Sequence, residues 1–170
     1  MGTSGDISDL QFIAKKLEAI QVEERNYDDG HDLSAKGLYT ALSSIMYERR
    51  TKMNPLWNSH VVGGCDEKGK LFLGYVDLLG TSYEASSIAT GYGAYIAQPL
   101  LRRALDGREN VMEYEEALKV VEDCMRVLFY RDARSLNKIR VAVVDASGVR
   151  VSEPYSLQTD WSYASQIKGY

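Results

Sequence analysis

Residues 74–103, GYVDLLGTSYEASSIATGYGAYIAQPLLRR, constrain the fold more than any other part of this 170-residue chain. Short apolar strand segments run into a glycine-rich turn, and the turn opens a helix. Further along, Tyr130-Arg131-Asp132-Ala133-Arg134-Ser135 closes a second helix on a charged turn. The whole chain continues this alternation: a helix pair, antiparallel strands, a helix pair, antiparallel strands. Segregated hairpins and helices imply an α+β fold with helices layered on antiparallel sheet.

A first helix is predicted from Ser8, because Ser8-x-x-Gln11 has capping-box spacing. Leu10, Ile13, Leu17 and Ile20 then recur at three and four residues, an apolar stripe that must pack on something. A polar loop with Gly30 separates it from a second helix starting at Ser34, which carries Leu38, Ala41, Leu42, Ile45 and Met46 on one side. That helix must end before Asn54-Pro55, since a residue preceding proline avoids the helical region. Residues 57–65 and 70–79 form a predicted hairpin across Asp66-Glu67-Lys68-Gly69, with Gly69 supplying positive φ. A short strand over 81–85 extends the sheet. Gly91 and Gly93 open a helix through Leu105, and Pro99 within it should kink it or break it in two. The longest helix is expected over 113–130, with Glu113, Glu115 and Glu116 favouring its start and Ala117, Val121, Cys124 and Leu128 as its buried stripe. A second hairpin joins 138–144 to 149–153 across Asp145-Ala146-Ser147-Gly148. Residues 155–170 hold Trp161 and three tyrosines without a strong period, and no internal repeat is evident.

One domain over residues 1–170 can bury a real core. With 45% hydrophobic and 26% charged residues and no low-complexity run, there is no case for disorder. The net charge is −4, and the 20 basic residues are scattered without a basic face interleaved with aromatics, so nucleic acid is not expected as a partner. The doublets Arg49-Arg50 and Arg102-Arg103 sit near helix ends, where they complement the dipole. No apolar run approaches the ~18 residues of a membrane span, and the N-terminus lacks a targeting pattern. No membrane partner is expected. Cys65 and Cys124, without Cys-x-x-Cys spacing or a secretory signal, read as reduced core thiols of an intracellular protein.

Four groups of residues invite a chemical reading. Gly91-Tyr92-Gly93 has neither the Gly-Lys-Ser/Thr end of a P-loop nor the third glycine of a dinucleotide fingerprint, so it reads as a helix start and no cofactor is expected. Asp28-Asp29-Gly30-His31-Asp32 gathers carboxylates and a histidine. Glycine takes the third place there instead of the sixth, and no glutamate closes a calcium loop. A solvated turn fits better than a metal site. His60 falls mid-strand, opposite Trp57 by alternation, with no nucleophile or second ligand beside it in the sequence. Asp132 and Ser135 are the most interesting pair, since a three-residue step at a helix end can set a carboxylate beside a hydroxyl. Such a pair can orient an amine or hydroxyl nucleophile. A helix-end turn stitched by side-chain hydrogen bonds explains the same residues and is favoured on the residues alone.

Met53-Asn54-Pro55-Leu56-Trp57-Asn58, Gly74-Tyr75-Val76-Asp77, Ala89-Thr90-Gly91-Tyr92-Gly93-Ala94-Tyr95, Gln98-Pro99-Leu100-Leu101-Arg102 and the run from Cys124 to Ser135 follow one another in a telling order. That order resembles the eukaryotic proteasome beta-type subunits, and among them a non-catalytic ring position, the seventh. The likeness runs from Gly5-Asp6 to the C-terminus. It implies a four-layer αββα sandwich of the N-terminal nucleophile hydrolase type. Active members of that family use an N-terminal threonine as nucleophile, its own amine as base, and an aspartate and a lysine on early strands. An Asp-x-x-Ser pair supports them later in the chain. Asp132 and Ser135 match that pair, and Thr90-Gly91 falls where active members commonly carry Ser-Gly. The remaining machinery lies upstream of Gly5 in the family layout, so no catalytic residue is expected here and the pair is implied to be a structural remnant. Thr3 is not the nucleophile: the Ser-Gly-Asp after it ends an internal strand in the family and leads into the first helix.

The resemblance thus implies a structural subunit of the 20S proteasome core, partnered by other beta and alpha subunits in stacked rings, in cytoplasm and nucleus. Residues 155–170 are a candidate C-terminal interaction arm, since aromatic anchors carry much interface energy. The natural polypeptide is expected to be longer, with the family's first strands before Met1, and this stretch alone to be poorly stable. Two other readings stay open. One is a truncated active threonine peptidase; the other is an unrelated α+β binding domain that shares only glycine-rich helix starts.

Overall fold

The computed structural model describes residues 1–30, 32–66, 69–108 and 112–169. A short strand, β1 (Gly2–Gly5), leads into α1 (Ile7–Asn26), and α2 (Ala35–Thr51) follows. Asp6, two residues before the expected Ser8, caps α1: its carboxylate accepts from the Asp9 amide at 2.9 Å, and the Ser8 hydroxyl donates to the same carboxylate. Asp is as good an N-cap as Ser, and with Ser8 already spent on Asp6 the helix starts one turn-position earlier. Those two donors, Ser8 first, hold the Asp6 carboxyl below its usual range. Ser34 caps α2 as expected, accepting from the Gly37 amide at 3.1 Å.

The stripes read from the sequence point inward. Ile13 of α1 and Leu42 and Met46 of α2 are fully buried. Tyr39 joins them, a residue outside the expected stripe, with its ring edge-on to Phe72 at 5.1 Å between centroids. α2 stops at Thr51, ahead of Pro55, where Met53 takes a φ of 53° and the Arg49 guanidinium donates to the Asn54 carbonyl.

The two helices lie on a four-stranded antiparallel sheet in the order β1-β2-β3-β4, where β2 is Asn58–Cys65, β3 is Leu71–Val76 and β4 is Ser82–Glu84. The first predicted hairpin and its short extension are therefore present. Gly69 has the required positive φ of 78° in the turn, whose Glu67 and Lys68 lie outside the described residues. β2 buries alternate residues, Asn58, His60, Val62 and Gly64. Helix and sheet approach closely because two of the facing residues are glycines. A Cβ on Gly64 would stand 2.0 Å from the Ala35 Cβ, and one on Gly74 would stand 2.6 Å from the Tyr39 ring. Ile13, Tyr39, Leu42, Met46, Leu56, Val62 and Val76 form the connected core.

A second helix pair, α3 (Gly93–Leu105) and α4 (Tyr114–Arg131), packs face to face near Gly93, Ala97, Cys124 and Leu128. α3 runs through Pro99 as one helix, against the expectation of two pieces. Pro99 withholds the N–H that the Tyr95 carbonyl would receive; Tyr95 is 80% exposed, so solvent reaches that end of the helix. Val121 is exposed instead of buried. It lies between the face of α4 that meets α3 and the face that meets the C-terminal stretch. The second hairpin is shorter than expected, β5 (Ala142–Asp145) and β6 (Gly148–Val151), turning at Ala146-Ser147. Beyond it the Ser152 amide donates to the Val141 carbonyl while the Ser152 hydroxyl accepts from the Val141 amide, and a bridge follows at Ile139 and Tyr155. A 3-10 turn at Ser162–Gln166 ends the described chain. The fold is α+β, with four α-helices and two antiparallel sheets among the described residues. No described helix is long and apolar enough to cross a membrane.

Candidate functional site

Asp132 and Ser135 stand at the end of α4, and both are partly buried. The Asp132 amide closes the helix on the Leu128 carbonyl at 2.8 Å. The Asp132 carboxylate accepts from the Arg134 amide at 3.0 Å, and the Ser135 hydroxyl donates to the Asp132 carbonyl at 2.7 Å. Carboxylate and hydroxyl therefore serve separate backbone partners and do not bond one another. The hydroxyl proton is directed at a carbonyl, so in this arrangement the pair holds a turn.

Thr90-Gly91 lies at the entry to α3. Gly91 has a φ of 60°, the left-handed region that a side chain disfavours, and approaches Ser4 of β1. Gly93 is buried against Ala89, Ala97 and Leu128 at ordinary contact distances, with α3 beginning at it. The acidic loop at 28–32 includes His31, which lies outside the described residues; Asp28 and Gly30 both have positive φ there. Among the described residues no three His, Cys, Asp or Glu side chains gather as a metal site would need.

One pairing escaped the sequence reading. Thr3 on β1 lies opposite His60 on β2, and Thr3 Oγ1 is 3.0 Å from His60 Nδ1. Hydroxyl and imidazole at that distance have the geometry of a nucleophile and its base. The setting contradicts that role. His60 is fully buried, its Nε2 has no hydrogen-bond partner to orient the ring, and burial pushes its pKa down to about 4. Asn58, also buried, sends its amide to the carbonyls of Ser4 and Asp6 while its Oδ1 stays unpaired. His60 and Asn58 thus pin β1 and the start of α1 to the sheet. Fifty-seven positions separate Thr3 from His60, so only strand register joins them. Trp57, on the other side of the strand, is 65% exposed, as alternation predicts.

The thiols divide. Cys124 is buried with its pKa raised by burial and faces the Ala97 carbonyl. Cys65 is only half-buried at the hairpin end, which corrects its reading as a core residue. Both are free.

Residues 155–161 lie along α4 instead of hanging free. The Tyr155 hydroxyl donates to Glu122 at 2.6 Å, and that carboxylate pushes the phenol up to about 12. Leu157 is buried and tied at both backbone groups to the Asn137 amide. Arg126 donates to the Gln158 carbonyl, and the Trp161 ring stands edge-on to Phe129 and Tyr130. Beyond them Tyr163 and Ile167 are exposed, 73% and 77%. Tyr170 lies outside the described residues.

The surface as a whole departs from that of a self-contained protein. A compact monomer of 19.1 kDa would expose about 8,400 Å², whereas this chain exposes 12303 Å². Among the described residues eleven hydrophobic side chains are buried and twenty-three large ones are exposed.

An α+β chain with this order of elements and an Asp-x-x-Ser turn at the end of α4 fits one class. The chain belongs to the proteasome subunit family, whose model matches residues 1–144. It is 46% identical over its full length to proteasome subunit beta type-4 of Xenopus laevis and covers 69% of that relative. It is 42% identical over 97% of its length to the beta type-4 subunit of Arabidopsis thaliana, covering 65%. Against proteasome subunit beta type-7 of Saccharomyces cerevisiae it is 39% identical over its full length, covering 67%. The chain thus spans about two thirds of the length of these relatives. The resemblance read from the sequence is borne out at the level of a beta type-4-like chain.

Proposed function

We propose that this chain is a non-catalytic structural subunit of the proteasome core particle and works by assembly, with no chemistry of its own. The observation that carries the proposal is the likeness to beta type-4 proteasome subunits along the whole chain, at 46% and 42% identity to two of them. Asp132 and Ser135 are consistent with that reading, since each makes a hydrogen bond within the turn and they do not bond one another. The partners are other beta and alpha subunits in stacked rings, and the chain's helices and sheets form part of a four-layer αββα sandwich. Particles of that kind would be found in cytoplasm and nucleus. They carry out ubiquitin-dependent protein degradation through other subunits.

The region beyond residue 144 lies outside the family-wide match, yet the likeness to the beta type-4 relative of Xenopus laevis continues to the end of the chain. A segment shared at that level suits a subunit-specific contact. In this reading residues 155–161 anchor the C-terminal arm on α4, and the exposed aromatic and apolar residues after them meet a neighbouring subunit. Native sizing of the endogenous protein, with mass spectrometry of the co-migrating chains, tests the function. Co-migration with alpha and beta subunits is expected, and a small species without them overturns the proposal. Deleting residues 162–170 from the natural chain is expected to deplete it from assembled particles; undiminished incorporation removes the arm.

A further inference from the structure

We propose that the open edge of β4, with the groove between it and α3, docks an extended segment of a neighbouring subunit that presents an aspartate or glutamate to Arg102. This rests on the assembly reading above and adds the chemistry of one contact.

β4 is the last strand of its sheet, and all three of its residues are exposed. Its inward hydrogen bonds alternate. The Thr81 carbonyl accepts from Asp77 at 3.1 Å, and the Ala85 amide donates to Leu73 at 3.3 Å, with Tyr83 opposite Tyr75 between them. In an antiparallel ladder the intervening residues then turn their N–H and C=O outward. Ser82 and Glu84 therefore present two backbone donors and two acceptors to an incoming strand, the arrangement used in strand addition. With only three residues, β4 admits a short segment, which limits indiscriminate edge pairing.

The groove beside this edge has a volume of about 290 Å³ and is lined by Tyr83, Ser86, Ser87, Gln98, Arg102 and Asp106 among others. At the low end of ligand-pocket sizes and predominantly polar, it suits a polypeptide side chain better than an enclosed small molecule. Its walls are set in advance. Tyr83 stacks on Tyr75 at 4.8 Å, and the Gln98 amide donates to the Ser87 carbonyl and hydroxyl at 3.1 and 3.0 Å. Arg102 stands in the last turn of α3. Arg102 makes no ion pair among the described residues, with Asp106 on the same groove or with any other carboxylate, as is true of most of the chain's basic residues. What sets Arg102 apart is its place on the groove beside the open edge, where its guanidinium can hold an external carboxylate by a two-point hydrogen bond.

The test is hydrogen exchange in assembled particles containing the full natural chain, read at the Ser82 and Glu84 amides. Exchange slowed by about a hundredfold or more relative to free peptide is expected, because both amides would then donate to a partner strand. Free-peptide exchange there, in particles that do contain the chain, overturns the docking and leaves the assembly reading intact; failure of the chain to enter particles overturns both. Two variants give a second readout. Ser82→Pro removes only an outward N–H, which an edge strand tolerates, and Arg102→Glu reverses the charge. Co-expressed with the unaltered chain, Arg102→Glu is expected to be recovered in particles at about one tenth of parity or less, since reversing one partner of a desolvated charge pair is strongly unfavourable, and Ser82→Pro is expected below parity because it removes one donor to the partner strand. Recovery of both variants at parity overturns the proposal.

Discussion

The two halves of this molecule handle their apolar faces differently. The layer made by α1, α2 and β1 to β4 contains the whole connected core, from Ile13 to Val76. In the second half Ala97, Cys124, Ile139 and Leu157 are buried, and none of them joins that cluster. Yet α3 and α4 are more strongly amphipathic than α1 and α2. The helices with the clearer apolar stripes thus bury less of them. An apolar stripe records what a helix will meet in its finished environment, so part of that environment lies beyond the described residues of this chain. Amphipathicity in a sequence announces burial without saying which chain supplies the cover.

The largest expected effect tests this contrast directly. Leu42→Ala removes a fully buried side chain from the connected core and should lower the opening free energy of the α2 amides by about 2–5 kcal/mol, measured by hydrogen exchange. Leu128→Ala, at a half-buried position on α4, should cost about 1 kcal/mol by lost burial. Equal losses would erase the distinction between the halves.

A second effect is confined to the first half and sharpens the contrast with pH. His60 is fully buried, and burial lowers its pKa from 6.5 to about 4 in the folded chain. Between those values the unfolded chain binds a proton that the folded one refuses, so stability rises with pH across the window. Above pH 6.5 the fold carries no penalty from this residue. As pH falls from 6.5 towards 4 it loses an amount on the order of 3 kcal/mol, after which the loss levels off. The β1 and β2 amides should report that loss in hydrogen exchange, and His60→Gln should flatten it. An unchanged pH profile in that variant would show that other groups govern the acid sensitivity of the layer.

How much of this was legible in the sequence follows the same division. The α1 and α2 stripes, the Ser34 cap, the stop before Pro55 and the first hairpin could be read because local chemistry decides them. The α1 cap was misplaced because Asp6 and Ser8 both satisfy cap chemistry and only geometry chooses between them. Thr3 and His60 could not be paired, since nothing local links positions fifty-seven apart. Asp132 and Ser135 were legible as a motif, but which oxygen each polar group serves is a matter of turn geometry that spacing leaves open. Val121 shows the limit most clearly. Its spacing from Ala117 and Cys124 is right for a stripe, and what failed was the assumption that the stripe would be covered across its full width.

Val121 also gives the smallest expected effect. The side chain is 42% exposed, flanked by the α3 contact on one side and by the Tyr155–Trp161 stretch on the other, so truncation removes little buried area. Val121→Ala should change the opening free energy of the α4 amides in the isolated chain by no more than about 0.5 kcal/mol, as is usual for surface sites. A loss above about 1 kcal/mol there would mean that α4 packs its full stripe within the chain, and the contrast between the halves would weaken. The same substitution in assembled particles asks the complementary question. If a neighbouring subunit covers this flank, the missing methyl groups should be felt there and nowhere else, because a side chain contributes burial energy only where water has been removed from it.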